Sequence, residues 1–197
     1  DSGLFNIQQV NLQTPASKLN ASGQFSFQND SNLQVALSST DADELQTILI
    51  SSGLLPEIDD QLRSYGVGLA GQLAFEGNIR GRLESPDVNG KFSLGTLLIN
   101  GIELGSLSAS IQMNTAAVRI SDGRLIEKDG GGAQFSLVSS RTRESDTSIE
   151  ATLDRANAAT LLAVLPSLSP ASASASHGLE NNTQADVSGT IKVTGIP

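Results

Sequence analysis

The chain has 197 residues, with 12 basic against 21 acidic side chains, a formal charge of −9 and no Cys or Trp. Aromatics make up only 4% of it, and together with the acidic balance they argue against a nucleic-acid surface, which needs Lys/Arg clusters and stacking rings. Without cysteine there is no disulfide scaffold, thiolate zinc site or Cys nucleophile, and the redox compartment stays open.

The first alternating segments are Phe25/Phe27 and Leu33/Val35/Leu37, and side chains that alternate between apolar and polar spell strand. The alternation then breaks. At 41–50, DADELQTILI, Thr40 or Asp41 offers an N-cap and Glu44 follows Asp41 by three residues as in a capping box, which predicts a short helix ended near Gly53. Residues 56–64 place Pro56 at a first helical position with Ile58 and Leu62 four apart, which predicts a second.

Alternation returns at 67–83, where Val67, Leu69, Leu73, Phe75, Ile79 and Leu83 are apolar and Gln72, Glu76, Asn78, Arg80 and Arg82 lie between them. It continues at Phe92/Leu94, Leu107/Ala109/Ile111/Met113, Val118/Ile120 and Phe135/Leu137. Four dipeptides, Asn89-Gly90, Asn100-Gly101, Asp122-Gly123 and Asp129-Gly130, tolerate the positive φ of tight hairpins and predict turns between antiparallel strands of a meander. A third helix is predicted from an N-capping Asp154 to Leu165, stopped by Pro166. Its apolar stretch, 156–165, is far shorter than the roughly 20 residues of a spanning helix. The Ser/Ala tract SLSPASASAS at 167–176 and the polar residues after it predict a flexible loop, and Val187/Ile191/Val193 a last strand.

The helical segments are also the mark of a repeat. Asp41, Thr47, Ile48, Leu49 and Pro56 answer to Asp154, Thr160, Leu161, Leu162 and Pro170, and Gly71-Gln-Leu-Ala-Phe-Glu-Gly77 to Gly189-Thr-Ile-Lys-Val-Thr-Gly195. This divides the chain into strands of a preceding β unit (1–40), a short helical insert (41–64), a central β unit (65–152), a short helix (153–166), a flexible Ser/Ala-rich loop (167–186) and the first strand of a next unit (187–197). Opening on Asp1 with no Met and no charged-then-apolar leader, the chain reads as a processed product or a fragment of something longer, and the fragment is the favoured expectation.

Catalytic motifs do not survive inspection. Gly66-x-Gly68-x-x-Gly71 fits a dinucleotide fingerprint, yet a helix precedes it and a strand follows, the reverse of what aims amides at a pyrophosphate, so these glycines space a strand or ease a bulge. His177, the single histidine, lies in the serine-rich tract where no fixed geometry is expected. Asp59 and Asp60 are neighbours on a helix and point apart, unlike glycosidase carboxylates. Asp129-Gly-Gly-Gly132 reads as an exposed hairpin turn before it reads as a phosphate nest. Three sequons, at Asn20, Asn29 and Asn181, carry no reading in so serine-rich a chain. No catalytic residue, metal site or cofactor is assigned, and the chain reads as non-enzymatic.

What remains is the apolar stripe. It is either the core of a sandwich or the inner face of a sheet bent into a trough that meets acyl chains.

Residues 77–139 carry Gly81-x4-Pro86-x-Val88-x-Gly90, a strand ending near Ile99, Gly105-Ser-Leu107 opening the next, Asp122-Gly123 before Leu125, and the Gly130–Gly132 cluster before another strand. This pattern, with the helical Asp154-x6-Leu161-Leu162, resembles the AsmA-like and TamB-like family of bacterial envelope proteins over residues from about 40 to about 195. The resemblance implies a curved, groove-like, taco-shaped β meander with two or three short helices between units, in a protein anchored in the inner membrane and reaching through the periplasm. It implies phospholipid movement toward the outer membrane or, in the TamB branch, assembly of outer-membrane proteins and autotransporters. Neither an anchor nor a clear C-terminal TamB module is visible, so this would be an interior slice.

The leading expectation is therefore a segment of a periplasmic lipid conduit with no cofactor. Leu69, Leu73, Phe75, Ile79, Leu83, Phe92, Leu94, Leu107, Ile111, Met113, Val118, Ile120, Phe135 and Leu137 would line its groove and meet phospholipid acyl chains. The rival from the chaperone class is pairing of open strand edges with nascent outer-membrane β-strands, and such edges would also support self-association. A carbohydrate-active β-solenoid enzyme would need convergent acids or a metal cluster, and none is visible.

Overall fold

The computed structural model describes residues 3–52, 66–82, 85–141, 147–158 and 186–194. Ten strands run through them, interrupted by one helix. They are β1 (Leu4–Gln13), β2 (Ser17–Ser26), β3 (Ser31–Ser39), helix α1 (Ala42–Ser52), β4 (Val67–Gly81), β5 (Asp87–Ile99), β6 (Ile102–Met113), β7 (Ala117–Ile126), β8 (Gly132–Ser140), β9 (Thr147–Asn157) and β10 (Asp186–Thr194). All ten form a single sheet in sequence order, every neighbouring pair antiparallel. It is an open meander in which β1 and β10 are the two edges. No second sheet lies over it among the described residues, so the sandwich reading of the stripe is set aside.

The period-two pattern explains the strands, and the register shows how well it is kept. Val10, Ala21, Val35, Gly77, Gly90, Ile111, Ile120, Leu137, Ile149 and Val193 are successive Cα partners, one per strand, and none carries a polar side chain. The neighbouring row on the other face is Ser22, Gln34, Asn78, Asn89, Gln112, Arg119, Val138, Ser148 and Thr194, polar at all but one position. Adjacent Cβ atoms point to opposite faces, so one face is apolar and the other hydrophilic. The sheet joins β3 directly to β4, so residues 4–39 and 67–157 share one continuous surface.

Two of the four predicted turns are turns. Asn100 and Gly101, with φ of 51° and 78°, close the β5–β6 hairpin, and Gly130, with φ 82°, lies in the β7–β8 connection. The other two are corrections. Asn89-Gly90 sits inside β5, paired with Asn78 and Gly77, and the pairing continues through it. Asp122-Gly123 sits inside β7, where Asp122 at φ 53° forms a bulge between the partners Ile120–Leu137 and Gly123–Phe135. The positive φ that the dipeptide tolerates is present there, but an extra strand residue uses it instead of a hairpin. Further bulges interrupt β1 after Ile7, β4 at Gly71 (φ 73°) and β9 at Arg155 (φ 48°).

The first predicted helix is present as α1, and Asp41 caps it as expected, its Oδ1 accepting the amide of Asp43 at 3.1 Å. The third predicted helix does not begin at Asp154. Strand β9 continues to Asn157, held by pairing of Ala156 with Val187 and Asn157 with Asp186, and helix starts only at Ala158. The remainder of that segment, the second predicted helix at 56–64, most of the Ser/Ala-rich loop with His177, and Asp59/Asp60 lie outside the described residues.

Candidate functional site

Strand alternation gathers the expected lining residues onto one face. Leu73, Leu94 and Leu107 are successive partners, as are Phe75 and Phe92, and Ile79 runs through Val88 to Met113 and Val118. Ile111, Ile120 and Leu137 belong to the ten-strand row given above, and Phe135 pairs Gly123 on β7 and Ala151 on β9. Leu69, across the Gly71 bulge, pairs Leu97 and packs with the same group. Leu83 lies outside the described residues.

Of these residues only Leu73 and Leu94 are buried, and the rest described are half-buried. The cause is α1. Its Ala42 and Leu45 pack on Leu73 and Leu94, with Leu37, Leu69, Phe92, Leu97 and Leu107 around them. The helix is also tied to the backbone of β4, which extends past the end of β3 at Ser39. There the Gln46 side chain donates from Nε2 to the Val67 carbonyl at 3.3 Å and accepts the Leu69 amide on Oε1 at 3.0 Å. One glutamine amide thus takes both hydrogen-bonding groups that a further stretch of β3 would have paired. Among the described residues the apolar face is therefore covered toward the first residues of β4, and no helix or second sheet lies over the Gly77–Gly90 and Ile79–Val88 rows.

Two phenylalanines smooth that face. A methyl on Gly90 would sit 2.6 Å from Phe75 Cε2, and one on Gly123 would sit 2.7 Å from Phe135 Cε2, so each ring lies across a neighbouring glycine. Residues outside the expected lining set join the same surface. They include Val88, Leu125, Leu153 and Ile149, and at the β1–β2 corner Phe5, Phe25 and Phe27, whose rings meet edge to face at 6.2 and 4.8 Å. Phe5, Ile7, Val10 and Leu12 carry the signal for β1, an alternation that the bulge after Ile7 shifts by one residue.

Polar chemistry is sparse. Two depressions, of about 600 and 410 Å³, are lined mainly by polar-face residues such as Lys18, Ser38, Ser93 and Asn20, Gln34, Asn78. Neither gathers an acid, a base and a nucleophile. Among the described residues no group of three or more His, Cys, Asp or Glu could hold a metal ion, and no helix is long and apolar enough to cross a membrane. Glu127 is the one buried acid there, and its Oε2 accepts the Asn157 amide at 2.8 Å. It ties the β7–β8 connection to the end of β9, a structural duty. Gly66, Gly68 and Gly71 form a turn, a strand position and a bulge, as the strand reading of the fingerprint expected.

No family model matches the chain, and comparison with curated proteins and with solved structures finds no match.

Proposed function

We propose that the chain is a non-enzymatic segment of a periplasmic, bridge-like protein of AsmA-like or TamB-like type that carries phospholipid acyl chains along its apolar face between the inner and outer membrane. The observation that carries this reading is the row from Val10 to Val193, apolar or glycine on all ten strands and without a covering sheet among the described residues. At the usual strand spacing the row is about 43 Å long, nearly three times the roughly 15 Å occupied by one leaflet of a bilayer core. An acyl chain of about sixteen carbons gains on the order of 12 kcal/mol by leaving water. A surface that returns this gain at every strand lets the chain slide without a steep barrier. The bulges in β1, β4, β7 and β9 favour bending of the sheet into a groove, with head groups kept in solvent along the open side.

The test is native mass spectrometry of the purified chain. Bound phospholipid is expected, and its replacement by none in both Ile111→Asp and Phe75→Arg, with the fold retained, would assign it to this face. Absence of lipid from the unmodified chain after incubation with phospholipid vesicles would overturn the reading.

A second reading is supported by the outer edges of β1 and β10, which have no partner among the described residues. On it the chain acts as a chaperone-like module, taking nascent outer-membrane strands by β-augmentation. Photo-reactive residues separate the two: capture of lipid at Ile111 favours the conduit, and capture at Asn11 or Lys192 of a nascent outer-membrane polypeptide, distinguished by mass from a second copy of the chain, favours the chaperone.

A further inference from the structure

The meander sorts the charges of the chain onto two rims. Alternate connections of an antiparallel meander fall on the same side, so the strand ends divide into two sets. One rim holds the β1–β2, β3–α1, β5–β6 and β7–β8 connections, and the other holds the β2–β3, β4–β5, β6–β7 and β8–β9 connections. The first rim is closed and acidic. Helix α1 packs there on Leu73 and Leu94, Asp41, Asp43 and Glu44 stand at its start, and Glu103, Asp129 and Asp154 follow along the same strand ends. Two cations of this rim are already engaged by acids, Lys128 by Glu103 and Arg155 by Asp154.

The second rim is different. No helix packs over it among the described residues. Arg80 and Arg82 stand at the end of β4, Arg119 at the start of β7 and Arg141 just beyond β8, all four exposed, against Asp30 and Asp87. Arg80 and Arg119 make no ion pair within the described residues, and Arg141 donates from a guanidinium nitrogen to the Asn114 carbonyl at 3.3 Å, beside the β6–β7 turn. Residues 83–84 and 142–146, outside the described residues, add Arg143, Glu84, Glu144 and Asp146 in sequence. With these counted the second rim carries as many bases as acids, whereas acids predominate at the first.

A phospholipid has the matching polarity. Its tails need the apolar face, and its phosphodiester carries a negative charge that a guanidinium binds through two parallel charge-assisted hydrogen bonds. An acidic rim repels the same group. An arginine stem lies along apolar surface while its guanidinium stays in water, so an arginine at a strand end meets a head group held at the rim. Length agrees as well. From Gly81 to Leu73, where α1 covers the face, β4 spans about 26 Å, against the roughly 15 Å that a tail occupies in one leaflet.

We infer that phospholipids lie on this face in one orientation, the phosphodiester on the rim of Arg80, Arg82, Arg119 and Arg141 and the tails directed toward α1. The inference rests on the conduit reading and adds to it which way the lipid faces and which groups hold its head.

Two measurements on the intact chain test it. The first uses phosphatidylglycerol vesicles containing a trace of the same lipid with a diazirine on its head group, followed by peptide mapping. Capture is expected at 80–82, 114–119 and 139–141, and equal or greater capture at 39–46, 100–103 and 127–131 overturns the inference. The second compares uptake of phosphatidylglycerol with that of diacylglycerol of the same tails, which lacks the phosphate. Arg80→Gln/Arg119→Gln/Arg141→Gln is expected to lower phosphatidylglycerol uptake at least about threefold and to leave diacylglycerol uptake unchanged. Arg124→Gln removes a charge from the polar face nearer the first rim, where Arg124 pairs Ser108 and Gln134, and is expected to change neither. Unchanged phosphatidylglycerol uptake in the triple variant, an equal fall for both lipids, or an equal effect of Arg124→Gln overturns the inference and leaves the conduit standing. Uptake of neither lipid by the unmodified chain overturns the conduit, and this inference with it.

Discussion

The ring of Phe75 lies across Gly90, the residue diagonally opposite it on β5, with Cε2 2.6 Å from where a Cβ would stand. The carbonyl of Glu76 is 2.7 Å from the same point, so the glycine is held from two sides. Gly90→Ala therefore forces both the ring and the strand pairing to shift. Overpacking of this kind costs about 1–3 kcal/mol, to be read as a lower urea midpoint at unchanged m-value. A Phe75→Leu/Gly90→Ala double variant should lose less than the two single losses combined, with a coupling of at least about 0.5 kcal/mol. Additivity would show that the ring and the glycine do not depend on each other.

Gln46 gives a second prediction, about the helix that covers one part of the apolar face. Gln46→Leu leaves the Val67 carbonyl and the Leu69 amide without their partner, and an unsatisfied buried group costs about 1–3 kcal/mol. The local readout is specific. Hydrogen exchange at the Leu69 amide should accelerate, while the Ile111 and Ile120 amides, several strands away, keep their protection. Leu45→Asp should go further and detach α1 by placing a charge against Leu73 and Leu94. Equal acceleration across the whole sheet would mean that α1 is integral to the global fold and not a separable cover.

Much of this architecture is legible in the sequence, for a reason that also explains the failures. Alternation at Leu73, Phe75 and Ile79 reports a local property, the direction of successive side chains, and the strand follows from it. Gly90 misleads because Asn-Gly is a good hairpin turn locally, whereas its actual reason for being glycine is the ring of Phe75 on another strand. Asp122 is the intermediate case: its φ of 53° is what its residue type allows, but whether the chain reverses there depends on its partners. Asp154 reads as a helix cap until Asn157 is seen to pair with Asp186, 29 positions along the chain. The seat of α1 on Leu73 and Leu94 and the two bonds of Gln46 have no local signal at all.

Glu127 yields a third prediction. It is 8% exposed, and its carboxylate meets the Asn157 amide where Gly131 also passes close to Arg155. Glu127→Gln keeps an acceptor at that point and should be tolerated within about 1 kcal/mol. Glu127→Leu removes it and should cost about 1–3 kcal/mol, with faster exchange of the Asn157 amide. If both variants behaved alike, the hydrogen bond would not be what holds the end of β9.

The last prediction concerns the ten-strand row itself. Ile111 lies in the part of the face that no other element covers among the described residues, between Gly90 and Ile120, so a charge there disturbs the apolar face without touching α1. Because Ile111 is half-buried in an open sheet, an aspartate can reach solvent, and the loss of stability should stay near the ordinary value of about 1–3 kcal/mol. The effect on an acyl chain should be far larger, since passage along the row would bring methylenes against an ion that must keep its water. The ratio of the two effects is what discriminates. A folded Ile111→Asp chain that takes up phospholipid from vesicles as the unmodified chain does would remove this row from any lipid path. A matching Gln112→Asp change, one residue along and on the polar face, should leave uptake unaltered.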